Sequence, residues 1–549
     1  MDKRLILFLI ISLAIIFSYP YFLEKVGIPT TPSPDSKDST NTETGLSETK
    51  PGSPPSPVSP VSPAEARKEE PISTGVAVAT KEKVIESDLY RVVLSSAGGS
   101  IKEWRLKKYT KNGENGDQVP IELVPKAPKT YPLTIVDPGT GNGVPLLFNL
   151  DEKPVLLSPE KPEERVVLTA VGADGRTISK EMTFHYDRYS VEIQVKTEGY
   201  PQGYTLSLGT NFGIEDWGEQ FGGGVGQISL INGEVQKEQG VKVEGVITHE
   251  GSVAWTGLQD KYFVSALIPK NPEGIGPVSV MKEGEKEIRA DLKVPPARAA
   301  ADFFTLYAGP KEYDRLVALH VHLEETIDFG WFIAGSWLPV RLVAKPIFYL
   351  LRFFYQFSQN YGIAIILVTV LVKALFFPIT RMSLRSMKEM AAVQPKIAEV
   401  RKKYAGDRDR MNRELMNLYK ENRINPFGGC LPMIVQIPFF VSLFNILYTT
   451  IDLRQAPFML WIHDLSGKDP YYVLPVIMGI SMFFQQWTQP STMDPTQAKV
   501  MLFLPVIYTF FFLNFPSGLV LYWLVNNLLS IGQQYLMNRE GLVLQKQGG

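Results

Sequence analysis

The chain has 549 residues, enough for two or three domains, and its Lys+Arg 56 against Asp+Glu 57 exclude a general affinity for nucleic acid, so no specific DNA partner is expected. One cysteine, Cys430, excludes an internal disulfide, and five scattered histidines give no metal-ligand cluster; His320-Val-His322 falls short of the three or four ligands a site needs, and neither metal nor cofactor is expected. A hydrophobic fraction of 44% is ordinary, but it is unevenly spread: Val500 to Asn538 holds no Asp, Glu, Lys, Arg or His.

Residues 1–23 begin with Lys3 and Arg4 ahead of an apolar run from Leu5 to Phe22, and the bulky Ser18-Tyr-Pro-Tyr-Phe lacks a small-residue cleavage site, which predicts an uncleaved signal anchor. Residues 24–80 are rich in Pro, Ser, Thr and Glu and predict a disordered tether that cannot bury a core. Residues 81–330 change to period-two runs, such as Arg165-Val-Val-Leu-Thr and Tyr189-Ser-Val-Glu-Ile-Gln-Val-Lys, divided by turns such as Ala173-Asp-Gly-Arg176. A large, mostly antiparallel β-sandwich follows. Trp217 and Trp255 would suit a sugar-binding face, but aromatic residues in strands are usually core.

Residues 331–360 contain a Leu-, Phe- and Tyr-dense segment carrying Arg341, Lys345 and Arg352. At 100° per residue these cations fall within an arc of about 40° and have no evident acidic partners, which predicts an amphipathic helix on the membrane surface. Residues 361–540 predict five spans, about Tyr361 to Thr380, Cys430 to Tyr448, Tyr471 to Trp487, Val500 to Leu513 and Leu519 to Met537, with a helical hairpin over 382–429 and a cytoplasmic tail over 541–549. The uncharged stretch from Val500 would make one helix of roughly 58 Å, about twice a hydrocarbon core, so it must turn back at Asn514-Phe-Pro-Ser-Gly518. The hairpin repeats Ile397, Val400 and Tyr404 before Ala405-Gly-Asp407 and Met411, Leu415 and Leu418 after it.

Charge orients the spans. Arg381 to Arg423 carries twelve Lys and Arg against six acids, while Thr450 to Pro470 carries two against three. The first loop is therefore cytoplasmic and the second outside, which with six spans puts both termini in the cytoplasm and the sandwich on the far side. The hairpin's positive excess would suit ribosomal RNA or anionic lipid, or topology alone.

Lys373 is the first functional candidate. It lies near the middle of an apolar run, costs on the order of 3 kcal/mol at a bilayer centre, and no long apolar segment supplies an Asp or Glu to pair with it. Snorkelling toward Arg381 is one account; the other is a wet recess open to the cytoplasm whose positive end attracts acidic groups on a guest. Thr369, Gln436, Ser442, Asn445, Gln485, Gln486, Asn514, Asn526, Asn527, Gln533 and Gln534 add neutral polar groups, which taken singly read as links between helices and taken together as the lining of such a recess. Without intramembrane carboxylates a proton- or sodium-coupled transporter is disfavoured, and no nucleophile-base constellation marks an enzyme.

Leu453-Arg-Gln-Ala-Pro-Phe-Met-Leu-Trp-Ile-His-Asp-Leu-Ser466, Asp469-Pro-Tyr-Tyr-Val-Leu-Pro475, Asn425-Pro-Phe-Gly-Gly-Cys-Leu-Pro432 and Phe515-Pro-Ser-Gly-Leu-Val-Leu-Tyr522 resemble the YidC membrane protein insertases, as do Ala97-Gly-Gly-Ser, Gln259-Asp-Lys-Tyr-Phe263 and Tyr307-Ala-Gly-Pro-Lys311. The resemblance covers nearly the whole chain. It implies a multi-domain membrane protein: a signal anchor and a five-span α-helical core, six transmembrane helices in total, plus the periplasmic β-super-sandwich of the long Gram-negative form. It implies a non-enzymatic insertase and chaperone that integrates nascent membrane proteins into the bilayer of the bacterial inner membrane, alone or with the secretory translocon, and that meets the ribosome. Lys373 stands where that family usually has arginine, keeping the charge but not the bidentate fork. By the same matching Thr369 and Trp523 face the groove, with Gln436 and Asn445 as further matches and Asn526 from the polar set.

Overall fold

The computed structural model describes residues 80–112, 117–136, 146–172, 175–215, 217, 225–296, 301–327, 338–404, 406–422, 431–489 and 495–547. The expected anchor, and the tether but for Thr80, lie outside the described residues.

The β region forms three sheets. The largest has eight strands in the order Glu234–Gln239, Gly226–Ile231, Val253–Gln259, Phe263–Pro269, Asp302–Pro310, Ser190–Glu198, Thr177–His185 and Glu163–Val171, every neighbouring pair antiparallel. A second runs Gln118–Glu122, Ser100–Asn112, Tyr90–Ser95, Glu82–Glu86 and Val155–Leu156, its last pairing parallel. The third runs Val246–His249, Val278–Lys282, Ile288–Val294, Tyr204–Thr210 and Ile135–Val136. Strict alternation of buried and exposed residues along Glu163–Val171 places that strand at a half-solvated edge, while Phe263–Pro269 is buried throughout because sheet neighbours and a packed layer cover both faces. Trp104 and Trp255 lie wholly inside. The indole N–H of Trp255 donates to Val321 O at 2.9 Å, so this tryptophan is core, as strand aromatics usually are. Among the described residues no group of three His, Cys, Asp or Glu could hold a metal.

Nine helices follow among the described residues: α1 Tyr313–Val317, α2 Leu338–Ser358, α3 Tyr361–Leu375, α4 Phe377–Lys403, α5 Arg408–Glu421, α6 Leu431–Thr449, α7 Val473–Thr488, α8 Pro495–Phe512 and α9 Ser517–Gln547. The first apolar run does not continue as one rod to Thr380: it breaks at Phe376, and α3 and α4 meet at 62°. Pro378 has no N–H to return to the carbonyl of Ala374, so the first helix ends and Pro378 takes the first turn of the next, where a missing donor costs nothing. Among the described residues no single helix is long and apolar enough to cross a membrane; the bent α3–α4 pair passes that test together, and Gln436–Thr449, Val473–Thr488 and Leu502–Phe512 are shorter apolar stretches.

The expected break at Asn514 to Gly518 is present, with α8 ending at Phe512 and α9 starting at Ser517. Helices α4 and α5 pack on one another through Met390, Val393 and Ile397 against Leu415, Leu418 and Tyr419. For α2 one expectation is overturned. Two of its cations have acidic partners from the β region: Lys345 reaches Glu325 at 3.4 Å and Arg352 pairs with Asp314. These acids precede their partner cations by 20 and 38 positions, so no local spacing rule links them. Leu342, Tyr349, Phe353 and Phe357 are the exposed side of α2.

Candidate functional site

On α9, Tyr522, Asn526, Ser530 and Gln533 follow one another by four, four and three positions and so share one side of the helix. That side packs against α3 and α6. The Lys373 ammonium donates to Ser530 Oγ at 2.8 Å, and this hydroxyl in turn donates to the backbone carbonyl Asn526 O at 2.8 Å. From α6, Gln436 Nε2 donates to Asn526 Oδ1 at 2.6 Å and to the Tyr522 hydroxyl at 3.2 Å. Gln533 Nε2 reaches the backbone carbonyl of Lys373 at 3.5 Å. A continuous polar strip results. It is buried at Tyr522 and Asn526 and half-buried at Gln436, Lys373, Ser530 and Gln533.

Three of the six candidate side chains therefore join one network: Lys373, Gln436 and Asn526. Thr369 is buried one turn before Lys373, with its hydroxyl donating to Ile365 O at 2.6 Å. Trp523 is half-buried in an aromatic cluster, its ring 5.0 Å from Phe440 and from Phe512 and 6.1 Å from Tyr508. Asn445 is fully buried, and neither atom of its amide has a hydrogen-bond partner.

Other amides bind helices together. Asn527 Nδ2 donates to Ser481 Oγ at 2.9 Å and Gln534 bonds with Thr488, both joining α9 to α7, while Ser442 Oγ ties α6 to Val340 O on α2 at 3.0 Å. Ser530 and Tyr522 are the network members missed from sequence. Their spacing about Asn526 was the available signal, but a hydroxyl in an apolar helix commonly bonds its own backbone, as Ser530 also does.

Above the bundle the loop from Thr450 to Pro470 is held by two carboxylates. Asp464 Oδ1 accepts from Gln455 N at 3.0 Å and from Ser466 N at 2.8 Å. Buried Asp469 accepts from Trp461 Nε1 at 3.0 Å, Tyr471 N at 3.0 Å and Leu474 N at 2.7 Å, so it caps the first turn of α7. The same loop receives the start of α9, since Ser517 N donates to Gly467 O at 2.7 Å and Gly518 N to Leu465 O at 2.9 Å.

An apolar helical bundle in which, among the described residues, the Lys373 ammonium on the polar strip has a hydroxyl and no carboxylate for a partner, carrying a separate β region, defines a membrane-embedded protein with an extramembrane domain. Residues 353–543 match the profile of the 60Kd inner membrane protein family, and residues 82–350 match that of the YidC periplasmic domain. "Membrane protein insertase YidC" of Syntrophus aciditrophicus (strain SB) is 39% identical, covering 98% of this chain and 100% of its own, and that of Geotalea uraniireducens (strain Rf4) is 37% identical, covering 98% and 99%. A crystal structure of an active YidC insertase with its first transmembrane domain resolved aligns over 83% of this chain and 95% of its own, with a TM-score of 0.38 and 16% identity. The chain belongs to the YidC membrane protein insertase family. It is an inner-membrane protein whose β region is a periplasmic domain.

Proposed function

We propose that the chain is a membrane protein insertase and chaperone, and that α3, α6 and α9 line a groove open to the cytoplasm. The observation that carries this reading is the Lys373 ammonium resting on a neutral hydroxyl, Ser530 Oγ at 2.8 Å, in a bundle whose long apolar segments hold no Asp or Glu. A charge with only a neutral partner keeps most of its field available to a guest. In this reading an acidic or polar segment of a nascent protein enters along Lys373, Ser530 and Asn526, while its apolar part leaves along the lipid-facing helices. Hydrating half of the bilayer shortens the apolar distance that the polar segment crosses.

The topology that fits has six spans: the anchor over 1–23, the bent pair beginning at Tyr361, and the spans built on α6, α7, α8 and α9. The basic hairpin and both termini are cytoplasmic, with the hairpin placed to meet a ribosome and the whole working alone or beside the secretory translocon. Support comes from the charge bias of the two loops, twelve cations against six acids and two against three.

The test is access to position 373. In a Cys430→Ser background, Lys373→Cys is exposed to a membrane-impermeant maleimide in vesicles of each orientation. Labelling from the cytoplasmic face alone is expected; labelling from the other face, or none, refutes the groove. In parallel, vesicles holding the purified wild-type chain should integrate small membrane proteins without leaking solute, whereas a channel would leak.

A further inference from the structure

Two sequence strings that the groove does not use, Gln259-Asp-Lys-Tyr-Phe263 of the β domain and Leu453-Arg-Gln of the loop after α6, meet face to face. The Arg454 guanidinium lies over the rings of Trp217 at 5.0 Å and Tyr262 at 5.8 Å, and also donates to Thr110 O. Reciprocally, the Lys261 ammonium of the β domain lies 3.5 Å over the ring of Tyr448 near the end of α6. Each part lends a cation to the other's aromatic groups. Such contacts strengthen when shielded from water, and Trp217, Tyr262, Arg454 and Tyr448 are buried or half-buried.

Both sides are built to hold these groups still. Fully buried Asp260 accepts from Phe263 N at 2.6 Å, Tyr262 N at 2.7 Å, and Glu215 N and Trp217 Nε1 at 2.9 Å, which fixes the tryptophan ring and the tip of the strand turn. Lys311, the last residue of Tyr307-Ala-Gly-Pro-Lys311, bonds Gln259 Oε1 at 2.8 Å and Asp260 O at 2.7 Å from beneath. Opposite, Arg454 N bonds Ile451 O at 3.0 Å and Gln455 N bonds Asp464 Oδ1 at 3.0 Å, in the loop that also seats the start of α9.

We infer that this seam is a brace: Arg454 and Lys261 are positioning residues through which the periplasmic domain holds the outer ends of α6 and α9, the two helices that carry Gln436, Asn526 and Ser530. The brace rests on the insertase reading for its purpose, not for its existence. An unbraced domain would pivot on α2, and the groove helices would lose their outer anchor.

The experiment uses the full chain in lipid vesicles and compares wild type, Arg454→Ala/Lys261→Ala, and Arg454→Lys/Lys261→Arg by amide hydrogen exchange and by insertion rate of a small guest protein. In the alanine variant, exchange over 451–456 and 258–263 should quicken together, about tenfold for each cation removed, while the hairpin of Glu163–Val171 and Thr177–His185 stays unchanged. Insertion should slow several-fold, and the cation-swapped variant should restore both readings. Should the alanine variant fail to fold, Arg454→Met, which keeps the stem, replaces it. Unchanged exchange in both segments overturns the seam, and faster exchange with insertion at the wild-type rate overturns its role as a brace. A wild-type chain that shows protected segments but inserts nothing refutes the insertase reading and leaves the seam standing.

Discussion

Lys180 offers a quantitative test of the β domain. It is fully buried on the strand Thr177–His185, its ammonium donating to Gly99 O at 2.9 Å and Leu133 O at 2.5 Å and lying 5.5 Å from the Phe148 ring centre. Burial, unrelieved by any carboxylate, pushes its pKa down from 10.5 to about 7. Between those values the unfolded chain carries a proton that the native chain lacks, so stability must rise with pH across that window, by about 1.4 kcal/mol per unit. From pH 7.5 to 9.5 the gain is about 3 kcal/mol. Lys180→Met keeps a stem of similar length without the charge and should abolish this slope, although two carbonyls left without a donor cost about 1–3 kcal/mol each at every pH. Urea unfolding of the full chain in detergent, followed by the emission of buried Trp104 and Trp255, measures it. Groups that titrate elsewhere are common to both chains and cancel in the difference; of these, burial raises Tyr109 and Tyr204 far above 10 and holds Asp260 at about 6, outside the window. Parallel profiles for wild type and Lys180→Met would refute the reasoning.

In the bundle, Lys373→Met should slow insertion of guests with acidic translocated tails by at least about tenfold, since a unit charge at about 4 Å and an effective dielectric near 20 is worth at most about 4 kcal/mol; Lys373→Arg should keep activity, and a wild-type rate for Lys373→Met in a protease-protection assay would reject the role. Gly479→Ala puts a Cβ 1.9 Å from Thr509 Oγ1 and should cost about 1–3 kcal/mol by forcing α7 from α8, with Thr509→Ala restoring the melting temperature. Asp469→Asn turns one acceptor oxygen into a donor and should destabilise the start of α7 by about 1–3 kcal/mol, read as faster exchange at Leu474 N; unchanged exchange would show that the cap carries no stability. Burial raises Asp452 to about 6 against the pull of Arg352, so the native chain takes up this proton first; wild type should gain stability relative to Asp452→Asn between pH 7 and 5, and identical pH profiles would exclude it.

Elements whose signals are local were legible in the sequence. The alternation of Glu163–Val171, the turn near Asn514 and the packing of Ile397 on Leu415 and Leu418 each follow from a spacing of two, a Pro-Gly break or a helical repeat. Pro378 signals the break at Phe376, whereas the hydropathy of the long apolar run by itself predicts one continuous helix. What escaped were pairings across long separations: Arg352 with Asp314 over 38 positions and Lys373 with Ser530 over 157. Periodicity fixes which face a residue occupies and says nothing of what faces it.

That limit divides the polar residues of α9 into two kinds. Asn526 and Asn527 are adjacent and chemically identical, yet 100° of rotation sends one to Gln436 and the Lys373 strip and the other to Ser481 on α7. The second ties α9 to α7 within the bundle, as Gln534 does through Thr488. The first belongs to a strip that ends in a charge, and ends it on a hydroxyl. An acid in place of Ser530 would satisfy the ammonium permanently and leave a guest's carboxylate to compete with a covalently tethered rival; a hydroxyl steadies the lysine stem while leaving the net charge intact. Ser530→Asp is therefore more informative than its removal: it should suppress insertion of acidic guests as strongly as loss of Lys373 does, whereas Ser530→Ala should leave the charge, and most of the activity, in place.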